Sequence, residues 1–465
     1  MTATEREDTR PPRKRVLFVC HNHPSVRPGG AENYAYELFE SFESSERFEP
    51  VFLAKGGKPL GFSDRPHEGT VIAPVGARPN DYFYFTDGYH YDWLNGSISD
   101  KDFYTDHLGK VLVALRPDVV HFQHTIFLGY DVLRLVRNVL PDTAIVYTLH
   151  EYAPICHRDG QMLRVRGNEL CEASSPRLCH ECFPEFTAQQ FFLRSRRIQS
   201  HFGLVDRFIA PSQFLRQRYI DWGIADSRIV FEENGRHFPC APAVTQQRRH
   251  RDRFAFFGQI SPYKGLEVLL DAMRIIRERA RPPAGSLFAK VQSAAGESSD
   301  VARPHLAVHG ANLELQPGPH QDRIRDLLEI TSDSVTMMGR YDWRRLDRLM
   351  EAVDWVVLPS IWWENSPLVI QEAFFHGRPV ICSDIGGMAE KVKHGVDGLH
   401  FRARDARDLA RVLEAATTEG LWDHLRAGIG AVHRVEAHRE RLSDLYEEVL
   451  AERGRATGRE LIDVR

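Results

Sequence analysis

The chain has no run of eighteen apolar residues, so nothing in it reads as a transmembrane helix. Its first fourteen residues are polar and end Pro11-Pro12-Arg13-Lys14. They lack the apolar core of a secretory signal, so they read as a disordered tail, and the expected compartment is the cytoplasm. A basic excess is missing too. Lys and Arg number 60 against 64 Asp and Glu, a net charge of −4, which argues against bulk affinity for nucleic acid. Neither half of the chain carries Gly-x-Gly-x-x-Gly after its first strand, which removes a dinucleotide oxidoreductase. Cysteine is scarce, seven in 465 residues, and no internal repeat stands out.

What is present suits two globular domains. A chain of 465 residues is long for one core, and 42% hydrophobic with 27% charged residues is an ordinary soluble balance. Apolar runs at 15–20, 51–53, 118–122, 144–147 and 207–210 alternate with helical patterns. A second series follows at 254–257, 306–308, 335–338, 355–358 and 380–382. Alternation of this kind implies two doubly wound α/β domains with parallel sheets. The expected boundaries are a tail at 1–14, a first domain at 15–237 and a second at 238–430. A C-terminal helical segment at 431–465 completes the chain. A cysteine-rich insertion occupies about 156–182, a Pro- and Gln-rich linker 238–253, and a surface insertion 279–297.

The stretch from Trp363 to Ala373 is the most informative. Glu364 and Glu372 stand eight apart, after a buried-strand pattern and across the start of a helix opened by Pro367. Anions and ligands bind at that place in open α/β sheets, beside a helix N-terminus and beyond a strand's C-terminal end. Backbone N–H groups of Asn365, Ser366 and Leu368, around the Pro367 that opens the helix, suit phosphates, and two carboxylates suit hydroxyls. Glu372 is expected as a partly exposed cleft carboxylate.

Around this pair the chain resembles the retaining glycosyltransferases of family 4, which have the GT-B fold. The resemblance rests on Pro359-Ser360, Glu364/Glu372, Gly377-Arg378-Pro379-Val380, Gly386-Gly387 and Gly395-Val396-Asp397-Gly398. Upstream it rests on Gly29-Gly30-Ala31-Glu32, Thr148-Leu149-His150-Glu151, Ala210-Pro211-Ser212, Asn234-Gly235 and Gly258 with Lys264-Gly265. It implies two facing Rossmann-like domains, a final helix that crosses back onto the first, and transfer of a sugar from a nucleotide-sugar donor. The acceptor would be a saccharide, a lipid-linked compound or a small molecule, as in polysaccharide biosynthesis.

By the same resemblance Glu364 contacts donor-sugar hydroxyls, Glu372 holds the ribose, His150 lies beside the reacting sugar, and Lys264 contacts the diphosphate. Gly29 and Gly30 allow close backbone approach. The family usually has Arg directly after the glycine at 258, where this chain has Gln259. A neutral amide cannot replace a bidentate cation, so Lys264 with helix amides, or else Arg236 or Arg340, would carry the phosphates. No catalytic metal is implied. Asp100-Lys101-Asp102 matches a cation-binding D-x-D, but helix capping and first-turn acidity account for it.

Four cysteines, Cys156, Cys171, Cys179 and Cys182, cluster within 27 residues, spaced C-x14-C-x7-C-x2-C. A C-x2-C pair is common zinc-knuckle geometry, so structural zinc leads over disulfides and free thiols. Cys20, Cys240 and Cys382 read as isolated core or linker residues. The aromatic stretch 81–93 could stack on an acceptor sugar or simply pack. The basic helix at 186–197 could lie on a membrane surface, or cover the sheet with a solvated Arg face. Two alternatives to a transferase are a nucleotide-sugar hydrolase or epimerase of the same fold, and a zinc-stabilised nucleic-acid module using Arg158, Arg164, Arg166 and Arg177.

Overall fold

The computed structural model describes residues 12–56, 72–86, 91–99, 101–238, 242, 248, 250–280, 303–342 and 345–463. Most of the polar tail and of the linker, including Cys240, lies outside these residues, as do Tyr89, His90, Asp100 and the surface insertion beyond 280. Arg279, expected in that insertion, belongs instead to the helix Leu266–Ala280.

The strands are β1 Lys14–Cys20, β2 Phe48–Lys55, β3 Ile72–Pro74, β4 Asp81–Tyr84, β5 Tyr91–Asp92, β6 Ser97–Ile98, β7 Val119–Phe122 and β8 Ala144–Thr148. They continue with β9 Arg207–Ala210, β10 Ile229–Phe231, β11 Arg253–Gln259, β12 His305–Ala311, β13 Val335–Met337, β14 Trp355–Leu358, β15 Val380–Ser383 and β16 Gly398–Phe401. Among the described residues one sheet runs β10-β9-β8-β7-β1-β2-β4-β3 and the other β13-β12-β11-β14-β15-β16. Only β3 against β4 is antiparallel within these two sheets; β5 and β6 form a separate antiparallel pair.

Both sheets place their first strand in the middle and reverse direction of progress next to it. In the first sheet the reversal falls between β1 and β7, in the second between β11 and β14. These switch points open a crevice beyond the strands' C-terminal ends, because the flanking loops diverge to opposite faces. Burial follows the period expected of strands covered on both sides: Val119 to Phe122, Ala144 to Thr148 and Trp355 to Leu358 are buried at every position.

The C-terminal helix Val435–Asp463 follows the second sheet in sequence but packs on the first. Its Val435, Leu442, Leu445, Tyr446 and Val449 recur at helical spacing and join the cluster of Phe18, Phe39, Phe42 and Phe48. Each such side chain removed from water contributes about 1.5–3 kcal/mol. Polar contacts set its register: Tyr446 Oη lies 2.6 Å from His121 Nδ1, and His438 Nε2 lies 2.7 Å from Tyr34 Oη. Glu232, just past β10, accepts from both His433 and His438 at 3.0 Å, tying the crossover's start to the first domain.

The aromatic stretch is largely packing. Tyr84 and Tyr91 are core residues, and the exposed Trp93 rests against Tyr91 and Phe127. The basic helix is Ala188–Phe202, capped by Thr187. Its arginines divide: Arg194 is buried on the carbonyls of Ala153 and Pro154, Arg197 pairs with Asp131 at 2.8 Å, and Arg196 is exposed over Phe192. No helix among the described residues is long and apolar enough to cross a membrane.

Candidate active site

The loop after β14 carries Glu364, and three features hold it. Glu364 Oε1 accepts from Ser360 Oγ at 2.8 Å and from Lys264 Nζ at 2.5 Å. Its neighbour Trp363 is buried in the first domain's apolar cluster, against Phe214 and under the Arg218 guanidinium at 4.2 Å. Its other neighbour, Asn365, accepts from Ser212 Oγ at 2.8 Å and donates to the carbonyls of Leu149 and His150 at 3.3 and 3.4 Å. A residue of the second domain is thus clamped on both sides by the first. Asn365 spends its side chain on this clamp, which leaves its backbone as the group for a ligand.

Two glycines make the close packing of these loops feasible. Gly265, at φ +72°, presses against the Pro359 carbonyl so closely that a Cβ would overlap it. Gly387 meets the Asn365 carbonyl in the same way. The loops after β11, β14 and β15 therefore converge on one point. The helix Leu368–Phe375 starts there, with Pro367 at its cap and no side chain capping its first amides. Buried Ser261 Oγ and Ser366 Oγ, on two of these loops, find no hydrogen-bond partner among the described residues. Orphaned buried hydroxyls beside a helix N-terminus and a lysine fit a bound phosphate.

Glu372 is not a partly exposed carboxylate. It is buried, 2.5 Å from Arg236 Nη2, while Arg236 Nη1 meets Glu37 of the first-domain helix Gly30–Phe42. His237 N donates to the second Glu37 oxygen at 3.1 Å. Burial draws the Glu37 carboxyl upward, opposed by Arg236. Arg236 is therefore enclosed by two carboxylates and is not a free substitute for the missing phosphate-binding arginine. Arg340 is exposed and donates to Asn312 at 3.2 Å, and Gln259 is exposed at the end of β11.

His150 ends the segment after β8, its Nε2 2.9 Å from Gln123 Oε1 and its ring edge-on to Tyr34 at 5.3 Å. Burial first, then His124 and His21, push its pKa down to about 3, so it is a neutral imidazole. Gly29 caps the helix Gly30–Phe42 in extended backbone, φ −155°, and Gly30 has open space where a side chain would be.

Sequence reasoning missed four residues of the first switch point. His21 follows β1 and lies 3.0 Å from Glu32; His124 follows β7 and lies 2.7 Å from Glu151; the two imidazoles are 4.5 Å apart. Burial alone would lower the His21 pKa, but Glu32 reverses this and raises it to about 10, and His21 in turn brings Glu32 to about 2. The signal for His21 and His124 was their place, directly after a strand, and Glu32 and Glu151 stood inside quoted motifs without a role. Lys101 of the D-x-D match pairs with Asp131 at 3.0 Å, and Asp102 precedes a helical turn without capping it by its side chain. In the cysteine-rich insertion Arg158 is spent on the Leu163 and Arg164 carbonyls and on Asn168. Arg164 and Arg177 face Glu181. That leaves little free charge for nucleic acid.

Two family models match the chain. Residues 28–236 match Glycosyltransferase Family 4, and residues 242–427 match Glycosyl transferases group 1. A protein of Thermobispora bispora named D-inositol 3-phosphate glycosyltransferase is 31% identical over 463 residues, 94% of this chain and 96% of that one. The first curated relatives match over shorter spans, and the chain covers 38%, 40% and 35% of their length. Among solved structures, sucrose-phosphate synthase from Thermosynechococcus elongatus superposes with a TM-score of 0.63 at 17% identity, covering 95% of this chain and 100% of that one. The Anabaena protein HepE in complex with UDP and glucose gives 0.57 at 14% identity, covering 94% and 100%. At such identities the structures speak for the fold.

Proposed function

Because the chain belongs to the family 4 glycosyltransferases, with their two-domain GT-B fold, we propose that it moves a sugar from a nucleotide-sugar donor to an acceptor hydroxyl with retention of anomeric configuration. The observation that carries this reading is the Lys264–Glu364 pair at the second switch point, one residue from the Asn365 contact to the His150 carbonyl. Cation, carboxylate and helix start lie on adjoining loops of the second domain, and the Asn365 side chain links them to the His150 carbonyl of the first, which supports a donor site on one side and an acceptor on the other.

In the proposed reaction Lys264 and the amides opening the helix Leu368–Phe375 stabilise charge growing on the departing diphosphate. Lys264 exchanges Glu364 for phosphate, and the freed carboxylate takes donor-sugar hydroxyls. Glu372, oriented by Arg236, holds the ribose. Neutral His150 offers a hydrogen bond beside the reacting carbon and carries no proton to give at neutral pH. The leaving phosphate accepts the acceptor proton on the same face, so no pair of carboxylates spaced for glycosidase chemistry is required. Lysine and amides supply the charge that a metal would otherwise supply.

The sugar is proposed to be a hexose. For the acceptor, the name of the relative that spans nearly the whole chain puts small polyol phosphates first, before oligosaccharides and lipid-linked acceptors. The test begins with a panel of nucleotide sugars read by thermal shift, since a bound donor raises apparent stability. Transfer with the best donor is then followed by NMR in brief assays with and without EDTA. The expected result is a retained anomer and activity in EDTA. An inverted product, or strict dependence on added magnesium or manganese, overturns the mechanism. Equal turnover without any acceptor selects a hydrolase instead.

A further inference from the structure

The segment from Glu151 to Phe186 departs from the first sheet directly after His150 and returns as the helix Ala188–Phe202. It has few means of holding itself together. Between 151 and 175 it contains no helix or strand beyond a single bridge, Leu163 to Leu170. Asp159, Met162 and Asn168 adopt left-handed backbone without being glycine, beside Gly160 and Gly167 in the same region. Yet it bears on the cleft. The Glu172 carbonyl accepts from Arg218 at 2.5 Å, and that guanidinium lies on Trp363, next to Glu364. Arg404 of the second domain donates to the carbonyls of Gly167 and Asn168.

Four thiols gather in this segment. Cys156 comes from the loop after His150, Cys171 from the strand-like return, and Cys179 and Cys182 from successive turns of the helix Pro176–Cys182. All four line one small cavity of about 20 Å³, walled also by Met162, Leu163, Leu178 and Phe183. That is room for a single atom-sized occupant. All four are unpaired, half-buried thiols. The four line the cavity without closing on one point: among the described residues Glu232, His433 and His438 form the one group of three or more candidate ligand atoms within 4.8 Å of one another.

The geometry points to a structural zinc site formed by Cys156, Cys171, Cys179 and Cys182, which orders the wall of the cleft beside His150. Four soft donors from three separated stretches suit a closed tetrahedral Zn(II) site with no open position for catalysis. Binding requires each thiol to surrender its proton, so one Zn(II) and four thiols give a tetrathiolate and four protons. The cation's charge compensates for burying the thiolates, and the metal adds a cross-link to a stretch whose own apolar contacts are few and local, such as Ile155 and Met162 in the first domain's cluster.

The test uses the full chain, purified under reduction without added metal, and is independent of any donor or acceptor. Elemental analysis is expected to find about one zinc per chain. Titration with an organomercurial in the presence of a zinc-sensitive dye is expected to release that zinc as four thiols react. After release, limited proteolysis is expected to cut within 156–182, at sites protected before. The Cys179→Ser/Cys182→Ser variant should purify without zinc. Should that variant not fold, the release and proteolysis experiments on the unaltered chain still decide. Metal-free protein with four freely titratable thiols overturns the assignment. So does a mass showing disulfides, or iron in place of zinc. A zinc-loaded chain that fails to bind nucleotide sugars would refute the proposed function while leaving the metal site standing.

Discussion

The two domains wind their central strands in the same order, and their switch points differ in what the loops supply. At the first, imidazoles and carboxylates close on each other: His21 on Glu32 and His124 on Glu151. At the second, Lys264 and Glu364 form a pair beside a helix N-terminus, near hydroxyls of Ser261 and Ser366 that have no partner among the described residues. Both crevices hold unspent hydrogen-bonding capacity, an amide at Gln123 Nε2 in the first and two hydroxyls near a lysine and a helix start in the second. The same backbone layout creates both places, and the loop residues decide which one is prepared for a phosphate.

The most severe way to break that contrast is Lys264→Ala. It removes the cation and leaves buried Glu364 without its partner, so kcat/KM for the donor should fall by about 10²–10³. Circular dichroism should be unchanged, and a fall of less than about threefold would show that the phosphates are carried elsewhere. Replacement of His150 by Ala tests the opposite wall. A neutral hydrogen bond of about 1–1.5 kcal/mol made in the transition state should lower kcat roughly tenfold, with nucleotide affinity nearly constant. Equal losses in both would assign His150 to ground-state binding.

Glu372→Gln joins stability to binding. Arg236 keeps Glu37 but loses its second carboxylate, so unfolding in urea should show a loss of about 1–3 kcal/mol together with weaker nucleotide binding. Unchanged stability would mean that the Glu37–Arg236–Glu372 bridge does not hold the domains. The last test concerns pH. His21 has a folded pKa raised to about 10, so its contribution is complete below its ordinary value of 6.5 and is lost as pH rises toward 10. Glu32, lowered to about 2, contributes above its ordinary 4.5 and loses this as pH falls toward 2. Stability should therefore decline above pH 6.5, by at most about 1.4 kcal/mol per pH unit from this pair. His21→Gln should flatten that slope, and a slope unaltered by the substitution would remove the ion pair from the account.

Much of the layout was legible. The apolar runs at 144–147, 207–210 and 355–358 fall inside β8, β9 and β14 because strands buried on both faces leave continuous apolar sequence. β10 and β16 escaped notice, since Ile229–Phe231 and Gly398–Phe401 are short and include exposed or polar positions. At the candidate site, Glu364 stood out by its spacing from Glu372, and Lys264 and His150 by family resemblance together with their places after strands. The reading of Glu372 as partly exposed failed because its partner Arg236, shared with Glu37, lies 136 positions away in the other domain.

The sequence alone determined the alternation of strand and helix, hence two doubly wound layers, and it placed the candidate donor residues at strand ends. It could do so because periodicity, turn glycines and helix starts are local properties. Tertiary structure decided the partners: that Lys264 neutralises Glu364, that Arg236 is shared by Glu37 and Glu372, and that Trp363 and Asn365 anchor in the other domain. It also decided that four thiols spaced across 27 residues face one cavity. Charge pairing and burial depend on which distant segments meet, and no local pattern carries that information.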